Sequence, residues 1–370
     1  MTASSYAPSP ELLAVLHEPL TTAEQRDTPD VFFARPELAA LYAQAQDPEH
    51  TEAVLRACAS LLPLLHPHRA SLLALMGGVL VEDDADPTLL FAACLVLLDR
   101  WLAELEPFCA SEVEDDDDEV APEDRQAWEA ARQRMADVPR EERWQVETLH
   151  QALELLVLPM MTMVLRDTGN HAAFVADPTR LARLHKMSTN DSLPFEQLHY
   201  LWLAACMSYE DELVVVLPAT QTGFVVRAHA LNNTFHAFTL LQRLIREHAD
   251  ALRVTPPAVP QAGDEAGAIA TATAAPADEQ DHDTADFLWL QAHAYENGEL
   301  KNEMAWAWGE APLRENAARH GKRVLVALDK EGVRRSWSGF TGACHGAQNP
   351  HIEFLRYLSP ADVRSYLGGA

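Results

Sequence analysis

The strongest constraint on this 370-residue chain is a change of period. Up to about residue 209 the apolar residues recur every three or four positions, and beyond it they begin to alternate. A side chain returns to the same face every 3.6 residues in a helix but every two in a strand, so the two stretches cannot build the same kind of layer. The chain is therefore expected to be α+β. Helical hairpins should make up its N-terminal two thirds, followed by a β-hairpin plus helix and a small mixed β/α portion at the end.

Within the helical part, "TEAVLRACASLLPLL" sets Val54, Leu55, Cys58, Leu61, Leu62 and Leu65 on one stripe. The next segment, "HRASLLALMGGVLVEDDADP", reads as the returning helix, slackened at Gly77-Gly78. Asp86-Pro87 then starts another helix, with a carboxylate cap and proline in the first turn, and the same Asp-Pro start recurs at Asp47-Pro48 and Asp177-Pro178. The long segment ending in "LELLVLPMMTMVLRD" becomes apolar on every face, which puts that end at the centre of the helical domain, with a kink expected at Pro159. Residues 111–124 carry nine carboxylates and read as a solvated acidic loop, with a partner contact as the lesser reading.

The alternating part divides further. "DELVVVLPATQTGFVVRAHALNN" reads as a β-hairpin and "TFHAFTLLQRLIREHADAL" as the helix behind it. Asn232, Asn233 and the following threonine should cap that helix, and His236 should be a satisfied structural histidine. Asn297-Gly298 marks a second hairpin, "KRVLVALDKEGVRRSWSGF" a third with its turn at Asp329 to Gly332, and Ser359-Pro360 starts a final helix. The expected organisation is a helical domain over 1–208, a β-β-α unit over 209–253, a disordered linker or insertion over 254–284, and a C-terminal module over 285–370. The strands of that module are expected to complete one sheet with residues 211–230.

Charge and cysteine usage exclude several function classes. The chain has 56 acidic against 28 basic side chains, a formal net charge of −28. Nucleic-acid backbones are held by clustered lysine and arginine, so a nucleic-acid partner is not expected, whereas a basic protein partner is. Cys58, Cys94, Cys109, Cys206 and Cys344 contain no C-x-x-C pair and read as buried thiols of a reducing compartment. No signal peptide is read at the N-terminus, and no apolar run approaches 18 residues, so a cytoplasmic protein without a membrane span is expected. Neither G-x-S-x-G, H-E-x-x-H, a phosphate-binding loop nor a dinucleotide fingerprint occurs. No catalytic residue, cofactor or metal is therefore assigned.

The most distinctive short motif is "MAWAWGE", residues 304–310. It alternates Met304, Trp306 and Trp308 with Ala305, Ala307 and Gly309. The favoured reading puts the indoles in the core of a small domain, where they supply much of the buried area it needs. The second reading is a ligand or partner groove lined by Trp306, Trp308 and Trp337, with Glu310 and Arg335 at its rim. "CHGAQNPH" places Cys344, His345 and His351 on one loop with Glu353 nearby. An ordinary surface loop is favoured there over a metal or cysteine–histidine site.

The segments "LMGGVLVEDDADPTLL", "EDELVVVLPATQTGFVVRAHALNNTFHAFTLL", "WAWGE", "RVLVALD" and "RSWSGF" together resemble a group of uncharacterised bacterial proteins. The resemblance implies that the helical region, the β-β-α unit and the C-terminal module belong together, and it implies no activity. The leading expectation is a non-enzymatic interaction protein, of immunity or defence-associated type, that binds a basic protein partner. The alternative is a small-ligand sensor or enzyme using the tryptophan-lined pocket, and self-association is left open.

Overall fold

A computed structural model describes residues 6–111, 121–231, 233–254, 287–309, 311–329 and 350–369. The expected linker over 254–284, the carboxylate run of the acidic loop and the turn at Asp329 to Gly332 lie outside these residues, apart from their margins. The chain forms two compact units, residues 1–205 and 206–370, and the fold is α+β as expected. The β-hairpin and the C-terminal strands belong to the same unit.

Among the described residues the first unit has helices and no strand: α1 (Pro10–Leu16), α2 (Pro29–Phe33), α3 (Pro36–Ala45), α4 (Thr51–Leu61), α5 (Pro67–Glu82), α6 (Thr88–Leu105), α7 (Pro122–Asp137), α8 (Arg143–Arg166), α9 (Thr168–Val175), α10 (Pro178–Ser188) and α11 (Leu198–Ala205). Its centre is α8, which packs on α5, α6 and α11. By length and hydropathy α8 is a candidate membrane span, but 56% of the apolar window is buried within the protein, as befits a core helix.

The glycine pair of α5 plays a different part from the one the sequence suggests. The helix runs unbroken through Gly77-Gly78, and the missing side chains make room for neighbours. A Cβ on Gly78 would lie 2.7 Å from the Pro159 Cβ, and one on Gly77 would lie 2.3 Å from a Leu90 methyl. Helix α8 likewise continues through Pro159, whose ring sits in the recess left by Gly78. Asp177 caps α10 by accepting from the Thr179 and Arg180 amides, as its Asp-Pro start requires. At Asp86 the carboxylate accepts from the Thr88 amide at 2.8 Å.

Two buried arginines tie this unit together across long sequence distances. Arg69 of α5 is 1% exposed and pairs with Asp27 and Glu18, while Arg35 bonds to the same two carboxylates. Arg180 donates to both oxygens of Asp99, at 2.6 and 2.7 Å, and to the Phe174 carbonyl at 2.6 Å. Buried charge is tolerated only when paired and hydrogen-bonded in this way.

The second unit is built on a mixed sheet. Its strands are β1 (Ser208–Leu217), β2 (Thr222–Leu231), β3 (Phe287–Gln291), β6 (Ala318–Arg319), β7 (Lys322–Asp329) and β8 (His351–Tyr357), and a separate hairpin holds β4 (Tyr295–Glu296) and β5 (Glu299–Leu300). The order is β3-β7-β1-β2-β8, with β6 paired to β7; β1 and β7 are parallel and the other pairs antiparallel. The Asn297-Gly298 turn has φ of 52° and 79°, the left-handed pair that a two-residue hairpin needs.

Helices α12 (Thr234–Glu247) and α13 (Ala249–Leu252) follow β2, and α14 (Pro360–Tyr366) follows β8. One face of the sheet buries Leu213, Val215, Phe224 and Val226 with Phe238, Leu241 and Ile245 of α12. The other buries Val214, Val216, Val225, Val324 and Val326 with Leu358 and Val363. Both faces of β1 are thus covered, which is why its sequence is a continuous β-branched run.

Candidate functional site

Strand β3 is one end of the sheet order, and the tryptophan segment lies along its outer side. Only one β-bridge forms, Leu290 to Trp306, flanked by Gln291 N–H to Ala305 O at 2.8 Å and Ala307 N–H to Trp289 O at 3.0 Å. The alternation read from sequence is present with the burial reversed. Ala305 and Ala307 are buried, whereas Met304, Trp306 and Trp308 are 68%, 43% and 64% exposed. This corrects the expectation that these indoles fill the core. Trp289 of β3 does that instead, 1% exposed and stacked on Phe238 at 4.9 Å.

The reversal has a steric cause. A Cβ on Gly309 would fall 2.1 Å from the Phe235 ring, so no side chain fits on the inward side at that position. Hydrogen bonds then fix the backbone against the start of α12. The Phe235 amide donates to Gly309 O at 2.8 Å, and the Thr234 amide donates to Ala311 O at 2.9 Å. Thr234 Oγ1 donates to the same carbonyl at 2.9 Å.

Behind this lies a buried amide network that sequence reading missed. Asn316, 1% exposed, donates from Nδ2 to Thr234 Oγ1 at 2.9 Å and to Leu313 O at 3.0 Å. Its Oδ1 accepts from Gln291 Nε2 at 3.0 Å, and Gln291 Oε1 accepts from the Ala317 amide at 2.7 Å. With its polar groups satisfied, such a network fixes one geometry. It joins β3, the first turn of α12 and the loop that carries the tryptophans. No local periodicity could have revealed it, because its members are far apart in the chain and none is apolar.

Of the proposed groove, the described residues contain Trp306 and Trp308; Glu310, Arg335 and Trp337 lie outside them. Cys344 and His345 lie outside as well, and His351 and Glu353 fall on β8. There the His351 ring lies 4.8 Å from that of His229, and Glu353 pairs with Arg227 at 2.9 Å. Glu210 also reaches this group, with one oxygen 3.5 Å from His229 Nδ1 and the other 3.3 Å from Arg227 Nε. Glu210 and Ala230, with φ of 59° and 54°, are bulged residues on either side of the Tyr209–His229 pair. Among the described residues, no three imidazole, thiol or carboxylate groups converge to hold a metal ion.

Two further groups are unsuited to proton or nucleophile chemistry. His236 is fully buried, and burial lowers its pKa to about 3, so the ring is neutral. Burial also raises the Cys206 thiol to about 12, despite Arg314 Nη2 at 2.9 Å from its sulfur, so thiolate is scarce at neutral pH. What the described site offers is an apolar, aromatic display on a fixed backbone. No family model, curated protein or solved structure matches the chain.

Proposed function

We propose that the protein is a non-enzymatic interaction module that docks a basic protein partner through the Met304–Trp308 edge. The observation carrying this reading is the exposure of Met304, Trp306 and Trp308 in one short segment whose small neighbours are buried. Tryptophan and methionine are enriched at interface centres, and indoles dominate binding energies where they become enclosed. An ordered backbone reduces the entropy lost on docking. A basic partner suits the chain's excess of 28 acidic groups, and an exposed indole face also accepts a lysine or arginine by cation–π attraction.

An immunity- or defence-associated protein held in the cytoplasm, neutralising a basic toxin, is the physiological form this reading takes. The test is capture of the tagged chain from its own cells at low and moderate salt, beside a Trp306→Ser/Trp308→Ser variant. A single stoichiometric basic protein, retained by the native chain and lost with either the indoles or rising salt, is the expected result. Equal retention by the two chains, or an empty capture, would remove the reading.

A further inference from the structure

The helical unit holds a cleft unrelated to the tryptophan edge, between α7, the start of α8 and the loop at Asp191. Its volume is about 380 Å³, within the range of small-molecule sites. Phe108, Trp128 and Met135 supply apolar and aromatic walls, while Arg132, Arg143 and Asp191 bring charge to the lining.

The two arginines lie in a unit rich in carboxylates. Residues 1–205 contain 35 acidic and 14 basic side chains, so carboxylates are plentiful. Arg35, Arg69, Arg166, Arg180 and Arg183 each hold one or more. Arg132 instead lies over the Trp128 ring at 5.8 Å, and Arg143 Nε donates to Val138 O at 3.4 Å. Neither guanidinium has a carboxylate partner among the described residues. Among the described lining residues, two guanidiniums stand against the one carboxylate of Asp191.

We infer that this cleft binds a small monoanion with a flat apolar body, such as an aromatic carboxylate. The ring system lies against Trp128, Phe108 and Met135, and the carboxylate takes charge-assisted hydrogen bonds from Arg132 and Arg143. Arginine suits this role because its planar fork matches a carboxylate, and because it stacks on an indole without losing its charge.

The probe is 2-naphthoate, with 2-naphthylmethanol as its neutral counterpart, titrated calorimetrically into the full chain. Saturable binding of one naphthoate per chain is expected, with the alcohol weaker by about tenfold or more. Arg132→Gln/Arg143→Gln, both exposed positions, should bring the naphthoate down to the alcohol's affinity with little change in melting temperature. Trp128→Ala should weaken both probes, and Trp308→Ala neither. The inference is overturned if no saturable binding occurs, if anion and alcohol bind alike, or if the double glutamine variant retains full naphthoate affinity.

Discussion

The two units differ in the polar groups they bury: both enclose neutral amides, but among the described residues only the helical unit encloses arginines. The helical unit buries charge: Arg69 against Asp27 and Glu18, and Arg180 against Asp99. The sheet unit buries neutral amides and a hydroxyl, in the Asn316–Gln291–Thr234 network. Their surfaces differ too. Residues 1–205 hold 35 acidic against 14 basic side chains, while residues 206–370 hold 21 against 14. Exposed large apolar residues are scattered along the helical unit, at Leu64, Val96 and Leu158 for example, but Met304, Trp306 and Trp308 stand together in the sheet unit. Long-range electrostatic attraction thus belongs mainly to one unit, and the aromatic contact surface to the other.

The most severe way to break this contrast is to take one partner from a buried charge. Asp27→Ala removes an ion-pair partner of Arg69, whose side chain is 1% exposed, and should cost the helical unit about 3–5 kcal/mol. Urea unfolding followed separately in each unit should show the loss in the helical transition alone. A shared loss would mean the units do not unfold independently.

The neutral network should be less costly to break. Asn316→Ala leaves Gln291 and Thr234 short of a partner and should cost the sheet unit about 1–3 kcal/mol. If this change proved as damaging as Asp27→Ala, the distinction between charged and neutral anchoring would lose its energetic meaning.

Acid should sharpen the comparison through His236. Its folded pKa lies near 3, below the ordinary value of 6.5, so between those values the unfolded chain takes up a proton that the folded chain does not. Stability contributed by this group is therefore fully present above pH 6.5 and is lost as pH falls toward 3, with a slope of up to about 1.4 kcal/mol per pH unit. Melting curves of His236→Leu should show a flatter acid limb for the sheet unit. An unchanged limb would place its acid sensitivity elsewhere.

The smallest effect on folding is expected at the tryptophans themselves. Trp308→Ala removes a side chain that is 64% exposed and should alter stability by no more than about 0.5 kcal/mol. A larger loss in thermal unfolding would return this indole to a structural role.

These contrasts were unevenly legible in the sequence. The change of period near residue 209 gave the fold class, and local caps were readable where one residue does the work. Asn233 accepts from the His236 amide, and Ser359 forms its capping box with Asp362. Alternation at Met304 to Gly309 was also readable, but alternation only says that two faces exist. Which one is buried depends on the space beside Phe235 and β3, set by residues far away in the chain. The same limit hid the Arg69–Asp27 pair, whose partners are 42 residues apart, and the parallel pairing of β1 with β7. Glycine composition suggested slack in α5 where the fold uses Gly78 for close helix contact, because flexibility and small size are written with the same residue.

The short pairing along β3 bears on solubility as well as recognition. An open strand edge presents unpaired amides and carbonyls that can template a neighbouring chain, and long exposed edges invite aggregation. Here Ala305 and Ala307 occupy two of those backbone groups, and the pairing ends after a single bridge. Bulky indoles then project beside a backbone already spoken for. The segment can thus offer sticky side chains without offering a growing strand, which separates selective contact from runaway polymerisation.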